Sequence, residues 1–330
     1  MAGSDILRLE NLVTEIASDQ GAVRVVDGVN LSVRQGRTLG LVGESGSGKS
    51  LTCLSVLGLL PPGGRIAAGR VLFQGEDLAR KTQKALSRYR GARIGTILQD
   101  PMTSLNPLLT IGDQVGEMFR YHHNIRSAAE RRRRAIAVME QVRIPAAAER
   151  LNAYPHQFSG GMRQRIAIAM SIAGDPDLII ADEPTTALDV TIRLQILQLL
   201  RDIQRARGTA ILLVTHDLHA VARFCDDVAV MYAGRIVEQG PVGAVFARPA
   251  HPYTAGLIAA VPRIAALPDR LPTIPGQPPR PGEAAEGCAF FPRCARAAAE
   301  CAAVVPEPRA VGAGRAVSCF APHLQAEAAE

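Results

Sequence analysis

The octapeptide GESGSGKS at positions 43–50 has the composition and spacing of a phosphate-binding loop. Its glycines allow the backbone to curl, so that consecutive N–H groups point toward one anion. Lys49 supplies a compact cation for the β- and γ-phosphates, and Ser50 supplies a hydroxyl ligand for Mg²⁺. An apolar segment precedes the loop and a helical pattern follows it, as the motif requires. We predict that the whole loop binds nucleotide phosphates: Gly43, Glu44, Ser45, Gly46, Ser47, Gly48, Lys49 and Ser50.

Two acids follow a second apolar segment, LIIADEP, which predicts a buried strand ending at Asp182 and Glu183. In parallel α/β sheets, ligands bind at the carboxyl ends of the strands, where the phosphate loop also lies. Asp182 is suited to hold the Mg²⁺ shell through water, and Glu183 to polarise an attacking water. The alternative for Glu183 is an exposed carboxylate at a strand end without a catalytic role.

A third motif, FSGGMRQR at 158–165, places Ser159, Gly160 and Gly161 immediately before a predicted helix. A hydroxyl, bare N–H groups and a helix dipole would face a second anion there. Three single residues complete an ordered set of motifs: Gln99 in ILQDP, Asp189 in TALD and His216 in VTHD. Together these motifs resemble those of ATP-binding cassette (ABC) proteins over about residues 1–250.

This resemblance implies ATP and Mg²⁺ as ligands and a head-to-tail dimer, in which the Ser159 motif of one subunit closes on the γ-phosphate held by the other. Glu183 would be the general base and His216 would contact the γ-phosphate. Gln99 would link Mg²⁺ to the transport partner, and Asp189 would join the two sites across the interface. Family members usually stack an aromatic residue on adenine, and our alignment puts Ile16 at that position.

The order of elements predicts an α/β fold, because short apolar segments typical of buried parallel strands alternate with helical patterns. The resemblance implies a P-loop NTPase cassette: a parallel-sheet RecA-like core, an antiparallel β subdomain and a helical signature subdomain at about 101–175. The composition changes after the cassette. A Pro-rich stretch at 267–287 predicts a loop, and four cysteines follow. We therefore predict an ATP-binding domain at 1–250 and a small extension at 251–330.

The extension begins with HPYTAGLIAAVP at 251–262. With DPMTSLNP and the Met162 form of the FSGG motif, it resembles the D-type ATPase subunit of oligopeptide/dipeptide permeases. That resemblance implies an ATPase energising a peptide importer. It also implies partners: a homologous F-type ATPase subunit, two transmembrane permease subunits and an extracytoplasmic peptide-binding protein. The chain would then lie peripherally on the cytoplasmic face of the cell membrane.

The tail cysteines, spaced C-x₅-C-x₆-C-x₁₇-C, are Cys288, Cys294, Cys301 and Cys319. Three interpretations remain open: a metal or [4Fe–4S] site, reduced buried thiols, or disulfides. The spacing lacks the close pairs of a zinc knuckle, while cluster ligation tolerates varied spacing, so iron–sulfur is favoured over zinc. No signal peptide is apparent, and we expect a reducing cytoplasm in which disulfides are disfavoured.

Composition leaves room for other functions, because a net charge of +6 permits an anionic partner without requiring one. The alternatives are an ABC ATPase acting on nucleic acid and an importer of a non-peptide solute. The ABC proteins of DNA repair insert long coiled coils or zinc modules before the FSGG motif, and residues 51–157 leave no room for them. Those of translation carry two cassettes. We therefore predict no nucleic-acid partner.

Overall fold

The computed structural model describes residues 4–19, 21–99, 104–186, 188–261, 272–283, 286–312 and 314–322. In these residues the strands, numbered β1 to β12, are Asp5–Ser18, Gly21–Arg34, Thr38–Val42, Gly64–Phe73, Glu76–Asp77, Ile94–Ile97, Leu178–Asp182, Ala210–Val214, Asp227–Tyr232, Arg235–Pro241, Arg309–Ala310 and Ala316–Val317. The helices, numbered α1 to α11, are Lys49–Leu57, Gln83–Leu86, Ile111–His122, Ala128–Gln141, Ala147–Arg150, Gly160–Ile172, Val190–Arg207, Leu218–Phe224, Val242–Ala247, Pro252–Ala259 and Ala299–Ala303.

The chain divides into two compact units. The first unit comprises Met1–Leu7, Val33–Thr38 and Phe73–Val214, and the second comprises Arg8–Ser32, Leu39–Leu72 and Thr215–Glu330. Each unit contains several chain segments, so its core forms only when distant parts of the sequence meet. The predicted domain boundary near residue 250 stays a prediction.

The first unit is built on a parallel arrangement of β6, β7 and β8. Leu178 of β7 is in register with Ile94 of β6 on one side and with Ala210 of β8 on the other. All residues of β7 and β8 are buried, as the apolar segments around them predict. Helix α6 packs on β6, where a side chain on Gly95 would lie 2.3 Å from the Ser171 carbonyl oxygen. This close approach leaves no room for a side chain at position 95, near the C-terminal end of α6.

Helices α3 to α6 lie between residues 111 and 172, the region predicted to be helical. Helices α3 and α4 pack on each other and on α6, and α6 also contacts α7. Thr110 caps α3 and Ser127 caps α4, each accepting a hydrogen bond from a backbone N–H of the first turn. Residues 101–103 of the predicted helical subdomain lie outside the described residues.

The second unit contains β3, which runs parallel to β9, and β10, which pairs antiparallel with β9 and with β12. Strands β2, β1 and β4 lie side by side in another sheet. The core against β9 includes three packed aromatic rings, Tyr232, Tyr253 and Phe290. Because Tyr253 and Phe290 follow residue 250, the predicted extension contributes buried residues to this core.

The Pro-rich stretch has neither helix nor strand in its described residues, 272–283 and 286–287. Its other residues, 267–271 and 284–285, lie outside them. Among the described helices, none is both long and apolar enough to cross a membrane.

Candidate functional site

The loop at 43–48 lies in the second unit, between the end of β3 and the start of α1. Gly48 adopts φ 103° at the N-cap of α1, and a side chain there would lie 2.7 Å from the Val25 carbonyl oxygen. A side chain on Gly43 would approach the Met231 carbonyl oxygen to 2.1 Å. The glycines thus let the loop lie directly on neighbouring backbone, and the N-terminus of α1 follows it as an anion-binding position.

Lys49, the first residue of α1, is only 6% exposed. Its Nζ donates hydrogen bonds to the carbonyl oxygens of Gly43 and Glu44, both at 2.9 Å, and to Ser47 Oγ at 3.3 Å. The loop therefore curls around an ammonium group at a helix N-terminus. Ser45, Gly46 and Ser50 are exposed beside it. This arrangement of glycines, lysine and helix N-terminus can bind the phosphates of a nucleoside triphosphate.

Glu44 contacts two residues that are distant from it in the sequence, Arg293 and Tyr253. Its carboxylate accepts hydrogen bonds from both terminal nitrogens of Arg293, and its backbone N–H donates to the Tyr253 hydroxyl. No local signal could have revealed these contacts, because Arg293 lies 249 positions further along the chain.

In the first unit, β7 carries Asp182, which is 8% exposed, to its C-terminal end, and Glu183 follows. Glu183 adopts φ 46°, and its N–H donates to the Val214 carbonyl oxygen. Its Oε2 accepts hydrogen bonds from Gln99 Nε2 at 3.2 Å and from Thr186 Oγ1 at 2.8 Å. These two hydrogen bonds hold one oxygen of the carboxylate in place. The structure thus joins predicted Gln99 and Glu183, and adds Thr186.

The FSGG motif begins α6 in the same unit. Ser159 Oγ caps the helix by accepting from the Met162 N–H at 3.3 Å, and Ser159 and Gly160 are exposed. A side chain on Gly161 would lie 2.8 Å from Ile192 Cγ2, so this glycine allows α6 to pack against α7. Exposed Asp189 caps α7 by accepting from the Ile192 N–H at 3.0 Å. The Ser159 motif and Asp189 therefore lie on adjoining helix starts.

His216 is an exposed residue of the second unit, two positions after the last residue of β8. The preceding Thr215 donates its N–H to the Leu41 carbonyl oxygen at 3.2 Å and accepts the Asp217 N–H on its hydroxyl at 3.0 Å. Asp217 in turn caps α8. These bonds fix the turn that carries His216.

The tail cysteines lie in the second unit, and no disulfide joins them. Burial is the main cause that raises the pKa of the Cys288 and Cys319 thiols, and the neighbouring tail cysteines add to it. Within the described residues, no three His, Cys, Asp or Glu side chains are placed to hold a metal ion. The geometry therefore matches reduced, partly buried thiols and lends no support to the metal or iron–sulfur interpretation.

The phosphate loop, the acidic strand end and the capped Ser-Gly-Gly helix start define a P-loop NTPase of the ABC type. Two solved structures of the bacterial ABC transporter cassette MJ0796 share the fold. The dimeric cassette is 29% identical with a TM-score of 0.64, and the dimeric form bound to ADP and Pi is 27% identical with a TM-score of 0.65. Each match covers 72% of this chain and 98% of the other.

Sequence comparisons identify the family of ABC proteins that this chain resembles. Residues 26–186 match the ABC transporter family, and residues 237–301 match the oligopeptide/dipeptide transporter C-terminal region. A putative peptide import ATP-binding protein of Brucella abortus is 47% identical, with 95% of this chain and 94% of the relative covered. The dipeptide transport ATP-binding protein DppD of Bacillus subtilis is 45% identical, with 98% and 96% covered. The oligopeptide transport ATP-binding protein OppD of Escherichia coli is 45% identical, with 96% and 93% covered.

The chain belongs to the ATP-binding proteins of oligopeptide and dipeptide ABC transporters. It is an ABC cassette that binds ATP with Mg²⁺. The predicted family and the P-loop NTPase cassette fold are confirmed, whereas the small Cys-containing extension stays a prediction.

Proposed function

We propose that this chain hydrolyses ATP to energise the import of peptides, with the phosphate loop around Lys49 as the nucleotide site. The main support is the geometry of that loop, whose buried ammonium group is held at a helix N-terminus by loop oxygens. The printed names of the relatives, which specify peptide, dipeptide and oligopeptide transport, support the peptide substrate.

The chemistry follows from the residues. The loop amides and Lys49 bind the β- and γ-phosphates. Ser50, Gln99 and Asp182 would hold Mg²⁺, which would supply positive charge to the phosphates. Glu183 accepts a proton from the attacking water. The water oxygen bonds to the γ-phosphorus as the bond to the β-phosphate oxygen breaks, giving ADP and phosphate. His216 contacts the γ-phosphate and stabilises its developing charge.

The partner assignments form part of the same proposal. Ser159, Gly160 and Gly161 bind the γ-phosphate held by a second ATPase subunit, and Asp189 contacts that subunit. The second subunit is a homologous F-type ATPase. The pair acts on two transmembrane permease subunits at the cytoplasmic face of the membrane, and an extracytoplasmic protein delivers the peptide. The exposure of Ser159, Gly160 and Asp189 supports their availability to another subunit.

The direct test is nucleotide binding by Lys49→Ala, with Lys84→Ala as the matched control because Lys84 is an exposed lysine of α2. We expect Lys49→Ala to lose MgATP binding and Lys84→Ala to keep it. Equal binding by both variants would refute the site.

The partner assignments are tested by purifying the tagged chain from membranes. We expect two multi-span proteins and a second ATPase to purify with it, and recovery of the chain without them would contradict the assembly.

The [4Fe–4S] cluster is a separate proposal that depends on the spacing of the four tail cysteines alone. Its test is iron and sulfide analysis after anaerobic purification, with Cys294→Ser as the variant and Cys225→Ser as the control. A cluster predicts iron and sulfide in wild-type protein and in Cys225→Ser, and their loss in Cys294→Ser. Protein free of both would leave only reduced thiols.

A further inference from the structure

Glu44, the second residue of the phosphate loop, is fixed at three points by other parts of the second unit. Its carboxylate pairs with Arg293, with Nη1 to Oε2 at 2.6 Å and Nη2 to Oε1 at 3.0 Å. Its N–H donates to the Tyr253 hydroxyl at 2.9 Å, and its carbonyl oxygen accepts from Lys49 Nζ at 2.9 Å. Both the backbone and the side chain of this one loop residue are therefore held.

The Arg293 side chain is built into this position, because only 5% of it is exposed. Besides the two bonds to Glu44, its Nε donates to the Pro275 carbonyl oxygen at 2.8 Å and Nη1 reaches the Tyr232 hydroxyl at 3.3 Å. A guanidinium group fits a carboxylate through two parallel hydrogen bonds, and a buried charge requires such a partner. Loss of either partner would leave the other charge uncompensated.

Tyr253 supports the loop backbone from the same region. It is fully buried, and its ring packs against Tyr232 with centroids 4.6 Å apart and against Phe290 at 5.4 Å. This packing fixes the hydroxyl that accepts the Glu44 N–H. The Glu44 N–H is therefore already engaged in a hydrogen bond within the protein.

We propose that Arg293 and Tyr253, both C-terminal to residue 250, are positioning residues that hold the phosphate loop in the shape that accepts ATP. This inference rests on the proposed nucleotide site and extends it. A loop held in advance loses less conformational freedom when it binds a ligand. Neither residue touches the nucleotide. Their effect on ATP is transmitted through Glu44.

The test compares Arg293→Gln, Glu44→Gln and the double variant in MgATP affinity and steady-state hydrolysis, using the full chain in its assembled complex. We expect each single variant to raise the Kd and the KM for MgATP about tenfold, because the contribution of a charged hydrogen-bonded pair to binding corresponds to a change of that size. We expect kcat to stay within about threefold, because the lost interaction assists binding rather than chemistry. The double variant should be no worse than either single variant, since both remove the same interaction and the double leaves neither charge without its partner.

Two further variants separate positioning from general damage. Arg293→Lys keeps the charge but not the paired hydrogen bonds, so its KM should fall between wild type and Arg293→Gln. Arg309→Gln is the matched control, because Arg309 is an exposed arginine of the same C-terminal region that donates to the Phe320 carbonyl oxygen. It should keep wild-type ATP affinity.

Thermal unfolding without nucleotide shows which variants are folded. If Arg293→Gln does not fold, Glu44→Gln and Tyr253→Phe decide the question, because each removes one contact of the same loop residue. Folded variants with wild-type MgATP affinity would overturn the inference, and so would an Arg309→Gln defect equal to that of Arg293→Gln. Wild-type protein that fails to bind MgATP would instead refute the nucleotide site itself.

Discussion

Gln99 donates a hydrogen bond from Nε2 to Oε2 of Glu183 at 3.2 Å, although the two residues are 84 positions apart. Thr186 donates its hydroxyl to the same oxygen at 2.8 Å. The carboxylate proposed as general base is thus oriented by an amide and a hydroxyl of its own unit.

Replacing Glu183 with Gln should abolish most hydrolysis while preserving ATP binding. Glutamine has the same shape and still offers an oxygen to Gln99 and Thr186, but it cannot take a proton from water. We expect kcat to fall roughly 100-fold or more, as for loss of a general base. Phosphate release and nucleotide-binding assays check this result. Glu149→Gln, at an exposed position of α5, is the control, and wild-type turnover by Glu183→Gln would show that the base is misassigned.

Thr186→Val should lower kcat about tenfold with little change in KM, because it removes one hydrogen bond that orients the Glu183 carboxylate. Thr209→Val is the matched control. Thr209 is a buried threonine of the same unit whose hydroxyl donates to the Pro176 carbonyl oxygen at 3.1 Å. Both changes should cost stability, but only the first should slow hydrolysis. Equal turnover in the two variants would contradict the role given to Thr186.

Ser159→Ala separates helix capping from partner binding. Ser127 provides the comparison, because each serine is exposed and accepts a first-turn N–H at 3.3 Å. Each alanine variant should lose about 1 kcal/mol of the free energy of unfolding. Only Ser159→Ala should also weaken ATP-dependent association with the second ATPase subunit, measured by light scattering. Equal association of both variants would mean that Ser159 serves α6 alone.

We expect buried His251 to make the folding stability of this chain depend on pH. It is 1% exposed, its Nδ1 accepts the Tyr253 N–H at 3.0 Å, and burial lowers its pKa to about 4. The unfolded chain binds a proton at this residue below about pH 6.5, whereas the folded chain does so only near pH 4. The part of the folding stability that comes from this difference in protonation is therefore complete above about pH 6.5, and it is lost as the pH falls toward 4.

Between pH 7 and pH 5, we expect His251 to lower the free energy of unfolding by about 2 kcal/mol, measured by urea unfolding. His251→Asn keeps an acceptor for the cap of α10 but cannot titrate, so its stability should fall less steeply over this range. His219→Asn, at an exposed histidine of α8, should retain the wild-type slope. Identical slopes for wild type and His251→Asn would exclude His251 as the cause.

Features encoded in contiguous residues were predictable. The octapeptide around Lys49 carries its glycines, cation and helix start together. The segment at 190–208 carries an apolar stripe and a closing glycine, and the structure has a helix over Val190–Arg207 with Gly208 at φ 66°. Buried strands β7 and β8 followed from their apolar composition. Strands β9 and β10, by contrast, are not predicted by the motifs of the sequence, and the tail-cysteine spacing is compatible with three interpretations.

The sequence by itself determined the class of this protein, because the phosphate loop, the acidic strand end and the FSGG motif each depend on neighbours only a few residues away. Tertiary structure alone decided that Arg293 and Tyr253 contact Glu44, and that Gln99 contacts Glu183. The physical reason is that hydrogen bonds act over about 3 Å of space regardless of separation along the chain. Only the packing of distant segments brings such groups within that distance.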